Sequence, residues 1–323
     1  MLEITDIAAI LPGTVQPIAE ASIDLMLLPK DRRMYERFFG LAAFPLDPAE
    51  PLATLVARAV AALPAGARPD LIVHCHTLLS SGPARADNLA PIERLAAGGT
   101  ESFSATMCHC ASGVAVLEML GRVLSPGQTA LVIVADKAFH PAVRLIRNTT
   151  IMGEAAVAFR VSQGGGAGRF TFVGGKSDRL GRYSIITGRL DDVTDPGFAE
   201  DYTPFTARCI EAALDRAGVA MADLRLILPH NVNLPSWDQI AQRLGARRDQ
   251  VFTANIARYG HTFGADPYLN LVDAAALGLL APGDTVALVS VGLGATAACA
   301  VLRAGPVSCN IPFSTPIERS IPA

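Results

Sequence analysis

The chain lacks any strong imbalance of charge: 27 Lys and Arg stand against 30 Asp and Glu in 323 residues, a formal net charge of -3. Without a basic excess there is no electrostatic track for a nucleic-acid backbone. With aromatics at only 6%, no basic patch interleaved with stacking rings stands out either, and nucleic acid is excluded as a partner. Paired cysteine spacing is also missing. Cys75, Cys108, Cys110, Cys209, Cys299 and Cys309 lie mostly inside apolar runs, the pattern of reduced thiols in a reducing compartment and not of a disulfide framework. No apolar run approaches the roughly 20 residues that span a bilayer; the Ala-rich stretch 274–281 stops at Pro282. The first residues, Met1-Leu2-Glu3-Ile4-Thr5-Asp6, show no basic segment ahead of an apolar core, so they do not read as a secretion signal. These absences predict a soluble, cytoplasmic protein with no membrane partner. What is present is a 50% hydrophobic composition, enough for a large core and two domain-sized halves.

The order of elements predicts how those halves are built. Residues 4–10 read as a strand and 30–38 as the solvated face of a helix. Residues 52–63 read as a helix and 70–76 as a buried strand, and two further strands fall at 129–135 and 152–159. The glycines at 164–168 divide residues 1–165 from 166–323. Beyond them, 169–187 reads as a hairpin or meander, 190–204 as a loop, 208–217 as a helix and 223–230 as a strand ending in a histidine. The segments 126–134 and 282–291 match almost residue for residue, both opening on Pro-Gly and running into an apolar strand, which implies an internal duplication. Strands that are apolar throughout and alternate with helices imply mostly parallel sheets covered on both faces. The predicted fold class is therefore α/β, two similar halves with two central sheets separated by helices. Ligands in such folds bind outside the carboxyl ends of strands, here near Cys110 and His230.

Residues 104–120 carry the chemistry. Small, β-compatible residues run into Cys110, Ser112-Gly113 makes a turn, and Val114, Leu117 and Leu120 recur at helical spacing. The stretch reads as a buried strand breaking into a helix with a thiol at the break. A thiol so placed feels the positive end of the helix dipole, which favours the thiolate and suits a nucleophile; the alternative is a small buried hydrophobe. Cys108, His109 and Cys110 resemble a metal cluster, but neighbours on a strand point to opposite faces, so no metal is expected. His230 sits between Pro229 and Asn231-Val232-Asn233, and His261 in a loop read as following a strand. Either alone is an ordinary structural histidine. Two at strand-end loops of one half, with the thiol in the other, support thiolate formation, proton transfer and an acyl-enzyme intermediate.

Cys110-Ala111-Ser112-Gly113, Pro229-His230-Asn231-Val232-Asn233 and Arg258-Tyr259-Gly260-His261-Thr262, in this order, resemble the three active-site motifs of β-ketoacyl-ACP synthase III of the thiolase superfamily, over about residues 1–303. The resemblance implies the duplicated, five-layered α-β-α-β-α fold. It makes Cys110 the acylated nucleophile and His230 and His261 the groups that bind the second substrate's thioester carbonyl. It also places an oxyanion hole at the backbone of Cys110 and Leu293. No cofactor is implied beyond substrates carried on coenzyme A or on the phosphopantetheine of an acyl carrier protein, and a homodimer is implied. The chain departs from the pattern in four places. His261 replaces the family's asparagine, as in the elongating ketosynthases. The early Gly-Ile-x-x-Arg-Arg signature is reduced to Arg37 with Phe39-Gly40-Leu41. Phe263 and Asp266 stand where small residues are usual. Asp266 reads as the cap of a helix starting near Pro267, with a contact to His261 as the other reading; Asn233, Phe263 and Arg37 are candidate substrate-binding residues.

The leading expectation is decarboxylative Claisen condensation of a malonyl-type thioester with the acyl group on Cys110, in fatty-acid-like or specialised polyketide metabolism. Loss of carbon dioxide leaves an enolate whose oxygen needs preorganised donors. The alternatives are transfer of the acyl group to a hydroxyl or amine without decarboxylation, and a silent partner subunit of the same fold.

Overall fold

The computed structural model describes residues 1–306 apart from 22–24, 26, 78–93, 97, 139, 166, 167 and 184–196. Cys309 and the tail prolines Pro312 and Pro316 lie outside the described residues, as does much of the 190–204 segment. Nine strands form one sheet: β1 (Leu2–Ile10), β2 (Leu71–Cys75), β3 (Glu101–Ala105), β4 (Thr129–Asp136), β5 (Ala155–Gln163), β6 (Phe170–Arg179), β7 (Leu224–Leu228), β8 (Thr285–Gly292) and β9 (Thr296–Ala304). Their order is β7-β8-β9-β6-β1-β5-β4-β2-β3.

The duplication is visible in the pairing. In the first half β2 runs parallel to β4, β4 antiparallel to β5 and β5 antiparallel to β1. In the second half β7 runs parallel to β8, β8 antiparallel to β9 and β9 antiparallel to β6. The matched segments 126–134 and 282–291 thus become the equivalent strands β4 and β8. β3, whose counterpart in the second half is the single parallel bridge Ile227–Val251, delivers the chain to Cys110. The two expected sheets are half-sheets of one, joined where β1 meets β6 through the pairs Glu3–Thr171 and Ile4–Phe170. The sheet is mixed and not mostly parallel. Only β2–β3, β2–β4 and β7–β8 are parallel, because strands covered on both faces are apolar throughout whichever way they run.

The helices that position the site are α1 (Leu52–Ala61), α2 (Ser112–Val123), α3 (Gly197–Ala217), α4 (Leu234–Leu244), α5 (Ala254–Tyr259) and α6 (Asp266–Ala276). Alternation along the strands sorts side chains between layers. Ile72 faces the outer layer with Leu55 and Val56 of α1, whereas Val73 faces inward. In the second half Ile227 packs outward with Ile210 of α3 and Trp237 of α4, while Leu226 and Leu228 face inward. The central layer is α2 and α6, whose Val114, Leu117, Tyr268 and Leu271 bury residues of both half-sheets. Each such Val or Leu contributes about 1.5–3 kcal/mol of apolar burial. The result is the α-β-α-β-α arrangement.

Two local expectations fail. The segment read as a loop up to 204 belongs in part to α3, which starts at Gly197 and carries Pro204 inside it; the proline and the acidic residues around it mask the helical spacing. Residues 170–179 form one long strand instead of a hairpin, because β6 finds its partner in β9, more than a hundred residues away. The two helices of the central layer approach closely at glycines. A Cβ on Gly113 would lie 3.0 Å from the Val134 side chain and 3.3 Å from the Gly264 carbonyl. Beside them Tyr268 stacks on Phe159 at 4.7 Å between ring centroids and donates its hydroxyl to the Gly113 carbonyl at 2.6 Å. Tyr268→Phe should therefore lower stability by about 0.5–1.5 kcal/mol in urea unfolding, and an unchanged midpoint would mean that the α2–α6 hydrogen bond contributes nothing.

Candidate active site

β3 ends at Ala105, five residues before the thiol, and the chain reaches Cys110 through a turn and the 3-10 segment His109–Ala111 before α2 begins. The expected strand running into Cys110 is therefore absent, and the strand-alternation argument about Cys108, His109 and Cys110 loses its premise. Their side chains part for another reason: His109 holds a left-handed φ of 49°, a backbone state that is uncommon outside glycine. The Cys108 sulfur accepts from Arg179 Nη2 at 3.0 Å, while Cys110 turns inward and is 5% exposed. Among the described residues no group of three or more His, Cys, Asp or Glu side chains is placed to hold a metal ion.

The turn is braced from the second half. Ser290 Oγ donates to the Cys110 carbonyl at 2.8 Å. A Cβ on Gly264 would fall 3.1 Å from that same carbonyl oxygen, and one on Gly292 would fall 2.3 Å from the Cys108 carbonyl oxygen. Leu293 lies in the β8–β9 turn that begins at this glycine, so the loop expected to hold an oxyanion donor packs on the Cys110 turn. From the first half, Thr77 Oγ1 reaches the Cys110 sulfur at 3.5 Å, and its own N–H is held by Asp136 Oδ2 at 2.8 Å.

His230 and His261 converge beside this sulfur, with ring centroids 5.8 Å apart and planes at 69°. His261 follows the short helix α5, not a strand. Its main chain is pinned by His261 N–H to the Ile151 carbonyl at 3.0 Å and Gly153 N–H to its own carbonyl at 2.8 Å. Its Nδ1–H donates to Asp266 Oδ2 at 2.5 Å. Burial alone would lower the His261 pKa, but the Asp266 carboxylate and the Cys110 sulfur, through charge and hydrogen bonding, outweigh it and raise it to about 10. His230 behaves oppositely. Burial and then the neighbouring His261 charge hold its pKa well below the usual value, against a smaller pull from the Val289 main chain. Its Nε2 is 2.8 Å from the Tyr202 hydroxyl of α3, and its carbonyl accepts from Trp237 Nε1 at 2.8 Å. One charged and one neutral imidazole thus stand side by side.

Asp266 is fully buried, at 0% exposure, and accepts four hydrogen bonds. Besides His261, these come from the Thr262 N–H and Oγ1–H, both to Oδ1 at 2.6 Å, and from the Asn231 N–H to Oδ2 at 2.6 Å. It stands in the first turn of α6 but makes no cap bond to that helix, so the capping reading is overturned. Phe263 packs with Cys110 and Met152. Asn233 instead caps α4, accepting from Ser236 N–H at 2.9 Å, and donates to the Thr149 carbonyl at 3.1 Å. Arg37 is exposed on the helical turn Met34–Phe38.

Residues 214–304 match the family described as 3-oxoacyl-[acyl-carrier-protein] synthase III C terminal. The β-ketoacyl-[acyl-carrier-protein] synthase III of Oleidesulfovibrio alaskensis is 40% identical over 97 residues, 30% of this chain and 29% of that enzyme. The alignment thus spans less than a third of that relative. By fold, the chain superposes on the acyltransferase ChlB3 with a TM-score of 0.79 at 18% identity, covering 96% of this chain and 99% of the other. It superposes on 3-oxoacyl-[acyl-carrier-protein] synthase III from Aquifex aeolicus with a TM-score of 0.76 at 17% identity, covering 94% and 100%. The chain therefore has a synthase III-like fold, and its sequence resembles that family over residues 214–304.

Thr77 and Tyr202 are site residues that sequence reasoning missed. Thr77 had a signal: it lies two residues past the end of β2, as His230 lies two residues past the end of the equivalent β7. Tyr202 had none, because its helix read as a loop. The Cys108–Arg179 contact points away from the histidines, so Cys108→Ala should leave iodoacetamide labelling of Cys110 within about twofold, read by peptide mass spectrometry. Gly292→Ala should slow that labelling by roughly tenfold or more, since a methyl group on the Cys108 carbonyl must shift the turn. Equal effects of the two substitutions would contradict the geometry.

Proposed function

We propose that the protein is an acyltransferase of the condensing-enzyme type, acylated on Cys110 by a thioester of coenzyme A or of an acyl carrier protein. The observation that carries this reading is the convergence on one buried sulfur of a helix N-terminus, the Thr77 hydroxyl and the His261 ring, with a second, neutral imidazole beside them. The Cys110 thiol gives its proton to an imidazole, the thiolate attacks the donor carbonyl, and the tetrahedral oxyanion is stabilised by main-chain N–H groups of Cys110 and Leu293. Collapse expels the carrier thiolate, which recovers the proton, and leaves a thioester on Cys110. The proposal includes a homodimer in the cytoplasm with a phosphopantetheine carrier as partner and no bound cofactor.

The second half-reaction has two readings, each favoured by its own observation. The Tyr202 hydroxyl on His230 Nε2 favours transfer to a hydroxyl or amine acceptor. The phenol lies 2.8 Å from Nε2; with the phenol donating, an acceptor hydroxyl that replaces it meets a base already in place. His230 takes that proton, the oxygen attacks the Cys110 thioester, and the thiolate leaves. Decarboxylative condensation is favoured by the paired imidazoles and by the name of the curated relative. There both rings donate to an enolate oxygen, which requires His230 to release Tyr202.

Intact-mass measurement after mixing with acyl-coenzyme A should show one acyl adduct on the wild type and none on Cys110→Ala. No adduct on the wild type, or equal adducts on both, would favour the silent subunit. With malonyl-coenzyme A added to the acyl-enzyme, release of carbon dioxide with a 3-oxo product selects condensation. Loss of the adduct only on adding an alcohol or amine selects simple transfer.

A further inference from the structure

We propose that Asp266 is a positioning residue that holds His261 as the proton partner of the Cys110 thiol, leaving His230 to serve the second substrate. The proposal deepens the acyl-transfer reading of the same site and rests on it for the role of His230. Its own evidence is geometric. The His261 Nδ1–H is fixed on Asp266 Oδ2 at 2.5 Å, so the ring's other nitrogen, Nε2, is the one left for the Cys110 sulfur. The main chain that carries the ring is bonded on both sides to the Ile151–Gly153 segment, and the Asp266 bond holds the ring on it. His230 is committed elsewhere, with its Nε2 on Tyr202 and its carbonyl on Trp237. Asp266 itself is anchored by the Thr262 and Asn231 donors, so the carboxylate is fixed before the thiol ionises.

The step balances without any added reagent. In the resting pair the Cys110 S–H bond is already broken: its proton sits on His261 Nε2, and the electron pair stays on sulfur. The imidazolium charge is shared with the Asp266 carboxylate, and the proton returns to the leaving thiolate when the carrier departs. A triad in this order differs from a pair of equivalent carbonyl-binding histidines, because it assigns the two rings to different partners.

Other titratable groups face this cluster. His230 lies across the His261 ring from Asp266, Tyr202 of α3 sits behind His230, and Asp136 at the end of β4 holds Thr77. Cys108, two residues before the thiol, is held by Arg179. Any pH profile must therefore be assigned to His261 directly.

The test reads His261 and the thiol with no acyl donor present, so its failure is distinct from failure of the acyl-transfer reading. In ¹⁵N-histidine NMR of the wild type near pH 8, the His261 ring, assigned by its loss in His261→Asn, should be doubly protonated; a neutral ring would overturn the proposal. Asp266→Asn should slow iodoacetamide labelling of Cys110 by roughly tenfold or more near pH 6.5 and by less than about threefold near pH 9.5. In a His261→Asn background, adding Asp266→Asn should change the rate by less than about twofold. A full further loss there would mean that Asp266 acts only as a structural clamp and would reject the proposal. If Asp266→Asn fails to fold, the wild-type NMR signal still decides.

Discussion

The site depends on one buried carboxylate. Asp266 has no access to water, and a carboxylate in that position is strongly unfavourable unless its lone pairs are met. Four donors meet them, and they come from both histidine loops: Asn231 beside His230, and His261 with Thr262. Charge-assisted bonds of this kind contribute about 1.5–3 kcal/mol each, and removing one partner would leave the rest compensating an exposed deficit. The same oxygen, Oδ2, accepts from Asn231 and from His261, so the loop after β7 and the loop after α5 are fixed relative to each other through a single atom. The two rings are T-shaped and close because their loops share this anchor, and not because they touch.

That anchor also separates the electrostatics of two chemically identical side chains. Both imidazoles are buried, and burial lowers the pKa of each. What differs is the second neighbour. His261 meets a carboxylate and a sulfur, which overcome desolvation; His230 meets the charge on His261 and a phenol, which do not. Tyr202 remains a phenol, its own pKa pushed up by burial. Placing environments of opposite effect around paired titratable groups is how acid and base roles are divided.

Much of this was legible in the sequence. The repeated Pro-Gly punctuation before β4 and β8, and the apolar strands, located the duplicated fold because both halves bury both faces of their strands. The spacing of Val114, Leu117 and Leu120 located α2, and the three motifs located Cys110, His230 and His261. What stayed hidden depends on long-range pairing. Strand direction is not encoded in apolar runs that are covered on both sides. β6 looked like a hairpin because its partner is more than a hundred residues away. The strand before Cys110 ended early because β3 is an edge strand paired with β2, and Met107 just past its end is exposed. Asp266 was read as a cap from its place before Pro267. Its actual partners are a side chain five residues earlier and a backbone amide thirty-five residues earlier, which helix-start rules do not weigh.

The duplication also explains why the chemistry is asymmetric. In each half the parallel strand ends two residues before a side chain that joins the cluster, Thr77 on Cys110 after β2 and His230 beside His261 after β7. In each half a buried aspartate holds a main-chain amide at that point. In the first half Asp136, on the last residue of β4, takes the N–H of Thr77 itself. In the second half the equivalent strand β8 ends in Gly292, which must stay small to admit the Cys108 carbonyl, so no acid fits there. The aspartate is supplied instead by α6, one layer inward, and it takes the N–H of the following residue, Asn231. That displacement places the carboxylate against His261. Closeness of the nucleophile's turn to β8 therefore excludes an acid at the strand end and accounts for one arriving beside the second histidine.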